Sequence, residues 1–478
     1  MMKLSLIVLV AAVATLSCSR NPATGNRELM LVSEGQEVAI GKENDPAIVA
    51  QMGIVADEGV QRYVSGLGLT LARASERPEL PWTFRVIDDP VVNAFAVPGG
   101  FIYVTRGLMA HLNSEAELVA VLGHEIGHVT ARHSAAQMSK AQVAGLGLMV
   151  GAVVSPEFAQ NAQAASQGLQ LLFLKFGRDD ERQADELGLR YLRRTGFDAR
   201  QMPAVYTMLG RVSATNPNGR VPTWLATHPD PEDRRGRMER AVAAIPAESL
   251  GRTVNRVQYL QQVDGLVYGP DPREGFFKGT AFFHPEMQFR IDFPAGWATS
   301  NQKQAVVAMS PQQDAVVGLT LEQKARTPQA AAQAFFAEQG MQGSAGNTSI
   351  NGMPALSGEF AAQTQDGVLR GVVAFVSYNG AVYRLMGYGP TAQWSAHARE
   401  VTRTLQSFNR LTDQNMLRVQ PQHVTVVTLP RAMTLQEFAS SYPGPVTIAE
   451  LALLNNVDEG TRFPAGERVK RVIGERLP

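Results

Sequence analysis

The pentapeptide His124-Glu125-Ile126-Gly127-His128 sets two imidazoles four residues apart, with a carboxylate between them. This is the H-E-x-x-H spacing. At about 100° per residue the two histidines stand about 40° apart on one helical face, so both reach a single metal ion. Glu125 is then placed to act on a water molecule rather than on the metal. Local signals support a helix here. Ser114 followed by Glu117 predicts a capping box, and Leu118, Leu122 and Ile126 form an apolar stripe. His124 and His128 fall on nearly the opposite face, a position that would also suit two solvent-facing histidines.

A catalytic zinc held by two histidines takes one more protein ligand and keeps one position open. Residues 177–188, Gly-Arg-Asp-Asp-Glu-Arg-Gln-Ala-Asp-Glu-Leu-Gly, predict an acidic helix that offers candidates. Glu181 and Asp185 are four apart and share a face with Ala184 and Gly188, small residues that let a neighbouring helix come close. Acids at 179–181 also suit a helix N-terminus, where negative charge favours the dipole. Spacing alone leaves the choice of ligand open.

Four motifs in order carry a family resemblance. They are the stretch from Asn93-Ala94-Phe95-Ala96-Val97-Pro98-Gly99-Gly100 to Leu108, the extended helix His124 to His133, the Glu181/Asp185 pair, and Thr227-His228-Pro229 followed by Arg234. Over roughly residues 30–245 the chain resembles the M48 zinc metallopeptidases, the family of the CAAX prenyl protease and HtpX. The resemblance implies one zinc ion held by His124, His128 and Glu181. It places Asp185 and Arg234 behind the ligands, and Glu125 as the general base. His228 is implied as a donor to the developing oxyanion, and in related enzymes the corresponding histidine masks the metal at rest. Asn93, Ala94, Phe95 and Ala96 are implied as a strand along the cleft, to whose edge an extended substrate adds. His133, about half a turn out of phase with His124, is expected at the surface or behind the ligands.

The 478 residues are 45% apolar and 18% charged, with a formal net charge of zero, enough for two or three cores and without the basic bias of a nucleic-acid partner. Lys3 and the apolar run Leu4 to Leu16 read as a signal peptide over 1–17, too short for a permanent span. Ala14-Thr15-Leu16-Ser17-Cys18 resembles a bacterial lipobox, which makes Cys18, the single cysteine, a lipid acceptor. The expectation is a periplasmic protein tethered to a membrane, with the outer membrane favoured. The apolar run Ala141 to Val154, rich in glycine, is expected to be buried or to act as a lid.

An M48 protease domain is therefore expected over 18–250, mainly helical and zincin-like with a small sheet, in an α+β multidomain chain. Residues 251–285 read as a linker. Residues 286–412 read as an α+β module similar to the PsbP/Mog1 sandwich, with strands at Phe289–Phe293, Ala305–Met309 and Val316–Leu321. Its helices are expected at Pro328–Gln339 and Gln393–Leu405, and Asn379-Gly380 marks a hairpin. Residues 418–476 resemble a βααβ LysM module, so peptidoglycan is an expected partner. The function implied is a zinc endopeptidase of the bacterial envelope acting on unfolded or misassembled envelope proteins. The alternative is a peptidoglycan-binding protein with a silent metal site.

Overall fold

The computed structural model describes residues 18–148, 176–215, 224, 227–364 and 367–477. The leader expected at 1–17 and residues 149–154 of the glycine-rich run lie outside the described residues. Helix and sheet are mixed, and the chain divides into two units. The first comprises the described residues up to Gly269 together with Gln422–Gly474. The second comprises Pro270–Pro421 and the chain end from Glu475.

In the first unit β1 (Cys18–Arg20) and β2 (Arg27–Leu29) precede α1 (Glu34–Met52) and α2 (Glu58–Arg73). A three-stranded sheet follows, β3 (Thr83–Ile87), β4 (Ala94–Val97) and β5 (Phe101–Thr105), in the order β3-β5-β4. β3 runs parallel and β4 antiparallel to β5, which leaves β4 at the end of the sheet. Gly99 and Gly100, both at positive φ, make the turn that Pro98-Gly99-Gly100 predicts. Then come α3 (Arg106–His111), α4 (Glu115–Thr130), α5 (His133–Leu148), α6 (Arg178–Arg194), α7 (Met202–Ala214), α8 (Pro231–Ala243) and α9 (Arg256–Val263).

Helix α4 carries the pentapeptide, and Ser114 caps it by accepting from the Glu117 amide at 3.2 Å. The reciprocal half of the expected capping box is displaced. The Glu117 carboxylate accepts from the Asn113 amide at 2.6 Å, one residue before the cap. The two-faced helix expected from the apolar stripe is also corrected, because every residue from Glu115 to Thr130 is buried. The histidine face is covered by α6. Its small residues permit this: a Cβ on Gly127 would meet the Ala184 carbonyl oxygen at 2.9 Å, and one on Gly188 would meet the His124 amide nitrogen at 3.0 Å. Backbone therefore lies against backbone where the two helices meet.

Residues 422–474 form the expected βααβ pattern, with antiparallel strands Gln422–Thr428 and Arg468–Ile473 around helices Leu435–Ser441 and Ile448–Asn455. They do not stand apart from the first unit. Val424, Leu454 and Val472 belong to the same apolar core as Leu118, Leu122 and Ile126. Lys470 is fully buried, and its ammonium donates to the carbonyls of Ala110 at 2.6 Å and Leu112 at 2.7 Å, just ahead of α4. The stretch 251–285 is not the linker expected from its Gly and Pro content. It carries α9, strand Val267–Tyr268 paired with Gln422–Thr428, and the hairpin Phe276–Lys278 with Ala281–His284. Tyr259 and Leu260 of α9 are anchored in the first core, which turns Gly- and Pro-punctuated sequence into packed structure.

The second unit is built on an eight-stranded antiparallel sheet. Its central hairpin, Gly367–Tyr378 with Ala381–Pro390, turns at Asn379 (φ 46°) and Gly380 (φ 76°), as the Asn-Gly pair predicts. Strands Ala305–Met309 and Val316–Leu321 lie as expected, and the helices run Pro328–Phe336 and Thr391–Ser407. The long strand Met353–Thr364 went unread because its Ala, Gly, Glu and Gln content is weak for a strand, and pairing on both sides supplies what propensity lacks. Among the described residues, the His/Asp/Glu group able to hold a metal lies in the first unit. No helix among them is long and apolar enough to cross a membrane.

Candidate metal centre

His124 and His128 project from α4, Glu181 from the first turn of α6, and His228 from the segment just before α8. One ligand atom from each lies within 4.8 Å of all the others. The edges of this figure are short. His124 Nε2 is 3.0 Å from His128 Nε2, 3.3 Å from His228 Nδ1 and 3.5 Å from Glu181 Oε2. Glu181 Oε1 is 2.8 Å from His228 Nδ1 and 3.4 Å from His128 Nε2. Nitrogen and oxygen ligands at ~2.0–2.1 Å from a tetrahedral zinc stand ~3.3 Å from one another, so the donor set fits zinc in both chemistry and spacing. Such convergence of buried polar atoms has little reason to exist without a cation between them.

Each histidine is oriented from behind. Asp185 Oδ1 lies 3.0 Å from His124 Nδ1, which makes that nitrogen the donor and leaves the Nε2 lone pair for the cluster. His128 Nδ1 meets His133 Nδ1 at 2.9 Å, and His133 Nε2 reaches Gln183 Oε1 at 2.6 Å, a relay that turns His128 Nε2 inward. His133 is therefore a buried support of a ligand, not a surface residue. Burial holds His133 down to about 4 and His124 down to about 3, with the Arg234 charge also acting on His124, so both rings are neutral as ligation requires.

Arg234 is buried behind the same cluster. Its Nη1 is 2.7 Å from Glu181 Oε2, its Nε donates to Asp185 Oδ2 at 3.0 Å, and its guanidinium lies over the rings of Tyr206 and Trp224. Burial by itself would raise Glu181, but the charges of His228 and Arg234 outweigh it and keep that carboxyl well below its ordinary value. Asp185 is lowered in the same way, with Arg234 and His124 overcoming burial, and it accepts from the Tyr206 hydroxyl at 2.6 Å. Glu125 differs from both. It is buried, and neither of its carboxylate oxygens has a hydrogen-bond partner among the described residues. Its Oε1 lies 3.7 Å from His228 Nε2, and burial pushes the carboxyl up to about 7.

The structure thus brings His124, His128, Glu181, His228, Glu125, Asp185 and Arg234 to one place. His228 stands among the ligand atoms as a fourth donor, where three were expected with one position open. Asn93 and β4 lie beside α4, and the Asn93 side-chain oxygen is buried without a partner among the described residues. Tyr206, Trp224 and Phe176, whose ring stacks on His128 at 4.0 Å, escaped sequence reasoning. A lone aromatic on an apolar helix face or in a loop carries no spacing signal.

Residues 58–242 match the model of Peptidase family M48. The beta-barrel assembly-enhancing protease of Escherichia coli (strain K12) is 30% identical over 221 residues, covering 45% of this chain and 45% of that protein. The mitochondrial metalloendopeptidase OMA1 of Arabidopsis thaliana is 33% identical over 207 residues, covering 42% of this chain and 41% of that one. The chain spans less than half the length of these curated relatives. A cyanobacterial PsbP solution structure from Synechocystis is similar to 28% of this chain and 94% of its own, at 12% identity and a TM-score of 0.24, too low to carry an argument. Family match and ligand geometry fall on the same residues: the stretch 58–242, which is similar to peptidase family M48, contains the buried His124, His128, Glu181 and His228 group able to hold a metal.

Proposed function

We propose that this protein is a zinc metalloendopeptidase of the bacterial cell envelope. The observation that carries the reading is Glu125, a buried carboxylate with no hydrogen-bond partner among the described residues, held against a four-donor cluster. Zinc, when bound by His124, His128 and Glu181, lowers the pKa of water and polarises a carbonyl. Glu125 takes the proton of the attacking water and later delivers it to the leaving amine. Its carboxyl, free of hydrogen bonds and raised by burial, is suited to hold a proton between those steps. An extended substrate adds to β4 through backbone hydrogen bonds, and the unpartnered Asn93 side-chain oxygen is an acceptor for its chain.

His228 has two roles in this reading. At rest its Nδ1 fills the position that the reaction needs, and once displaced it is the near donor for the oxyanion. Zinc content and casein cleavage by the wild type and Glu125→Gln test the assignment. The variant should bind zinc and cleave nothing, and equal inertness of both proteins with His228 replaced would sink it. Unfolded or misassembled envelope proteins are the substrates this reading favours, supported by the name of the Escherichia coli relative. A lipid on Cys18 as the membrane tether belongs to the same proposal, and palmitate labelling that is lost in Cys18→Ser checks it. Peptidoglycan as a partner of residues 418–476 rests on their βααβ pattern alone and is checked by co-sedimentation.

A further inference from the structure

The two histidines of α4 are backed by different chemistry. His124 Nδ1 faces the Asp185 carboxylate at 3.0 Å, whereas His128 Nδ1 faces a second imidazole, that of His133, at 2.9 Å. Metal-ligating histidines ordinarily give their second N–H to a carboxylate, a backbone carbonyl or water. The buried His133 ring reaches this place through the turn between α4 and α5. There Arg132 stands at φ 60°, its guanidinium held by Glu37 and by the Val32 carbonyl at 2.7 Å.

Two ring nitrogens at hydrogen-bond distance share one proton, and its place fixes both rings. A neutral His128 that offers its Nε2 lone pair to a metal carries its proton on Nδ1, so His133 Nδ1 must accept it. The proton of His133 then belongs on Nε2. In the reverse arrangement His133 Nδ1 donates, the His128 proton moves to Nε2, and ligation is blocked. The choice is therefore made on the far side of His133. There Nε2 meets Gln183 Oε1 at 2.6 Å, with Asp180 Oδ1 3.9 Å away. A carbonyl and a carboxylate oxygen accept and do not donate, so both hold the proton on Nε2. Gln183 stands on α6 between Glu181 and Asp185, so one helix supplies a candidate ligand and the last acceptor behind each of the two histidines.

We infer that Gln183, acting through His133, is the positioning residue that selects the metal-binding tautomer of His128. The inference rests on the zinc site of the reading above. Its readouts are ring protonation and zinc affinity, and casein cleavage tests the peptidase reading separately. An N–H donor in the place of Gln183 Oε1 would impose the opposite pair of tautomers and turn an N–H toward the metal.

The test starts from the zinc-loaded full chain carrying isotope-labelled histidine. Long-range proton–nitrogen spectra should show the His133 ring protonated at Nε2 and bare at Nδ1, with its signals assigned by their loss in a His133 variant. Zinc affinity, measured by competition with a chelating dye, is the second readout. Gln183→Leu removes the acceptor and should weaken binding about 10-fold, while Gln183→Glu keeps it and should bind as tightly as the wild type. Gln183 is only half-buried, so these two changes leave the helix packing in place. His133→Phe should weaken binding about 10–100-fold. His133→Asn, whose Oδ1 takes the place of the accepting Nδ1, should recover most of that loss. A His133 ring protonated at Nδ1 in the loaded wild type, or equal zinc affinities for Gln183→Leu and Gln183→Glu, overturns the assignment.

Discussion

The two ends of α4 each bury a glutamate, and they do so in opposite ways. Near the N-terminus, burial raises Glu117, but its carboxylate accepts the Asn113 amide, and the buried ammonium of Lys470 supplies opposite charge nearby. Near the C-terminus, burial raises Glu125 to about 7, and its oxygens have no hydrogen-bond partner among the described residues. Burial of a carboxyl therefore does not mark a reactive group. The difference lies in satisfaction: the first glutamate is satisfied by a backbone amide just ahead of the helix, and the second keeps its acceptors for something other than the described residues.

The largest test of this contrast is Glu125→Gln, which should lower casein cleavage at least ~10²–10⁴-fold, the range for a lost general base, with zinc retained. In metal-stripped protein the same change should stabilise. Glu125 has its folded value raised from 4.5 to about 7, so its ionised form is penalised in the folded state. That penalty sets in as pH rises from 4.5 through about 7 and then levels, at about 3 kcal/mol on an order-of-magnitude basis. Denaturant melts of the two proteins against pH should diverge over that window and run parallel above it.

Lys470→Met should do the reverse, at about 3–5 kcal/mol, because it strips a buried charge from Glu117 and leaves the Ala110 and Leu112 carbonyls unpaired. Adding Glu117→Leu should recover part of the loss, and a double-mutant cycle by urea denaturation measures how much. Asp185→Ala should weaken zinc binding about 10–100-fold by releasing His124 Nδ1, read by competition with a chelating dye. The smallest effect is expected for His228→Ala. It should raise unstimulated casein cleavage about severalfold, since the masking donor is gone while the oxyanion loses a partner worth about 10²-fold once the site is open. Unchanged or abolished cleavage would remove its masking role.

Much of the metal site is legible in local spacing. Histidines at 124 and 128 meet because a helix turn brings i and i+4 together, and Glu181 with Asp185 obeys the same rule on α6. Gly127, Ala184 and Gly188 announce a close helix contact. The Asn379-Gly380 turn likewise follows from two backbone conformations that few residues tolerate. Other features were hidden. Arg234, read as a residue behind the ligands, proves to neutralise Glu181 and Asp185 from within the core. Lys470 sits in a strand whose pattern gives no reason to bury an ammonium. Residues 251–285 look like a linker because Gly and Pro report local chain direction and not what packs against it.

The sequence by itself determined which side chains share a turn: the two histidines, Glu125 beside them, the Glu181/Asp185 pair, and the strand and hairpin periods. Those follow from backbone geometry over a few residues. Only the tertiary structure decided that His228 joins the candidate ligand atoms, that Glu125 has no hydrogen-bond partner among the described residues, and that residues 422–474 share the core of the helix bearing His124 and His128. These depend on long-range packing and on the balance between burial and pairing, which no short stretch of the chain contains.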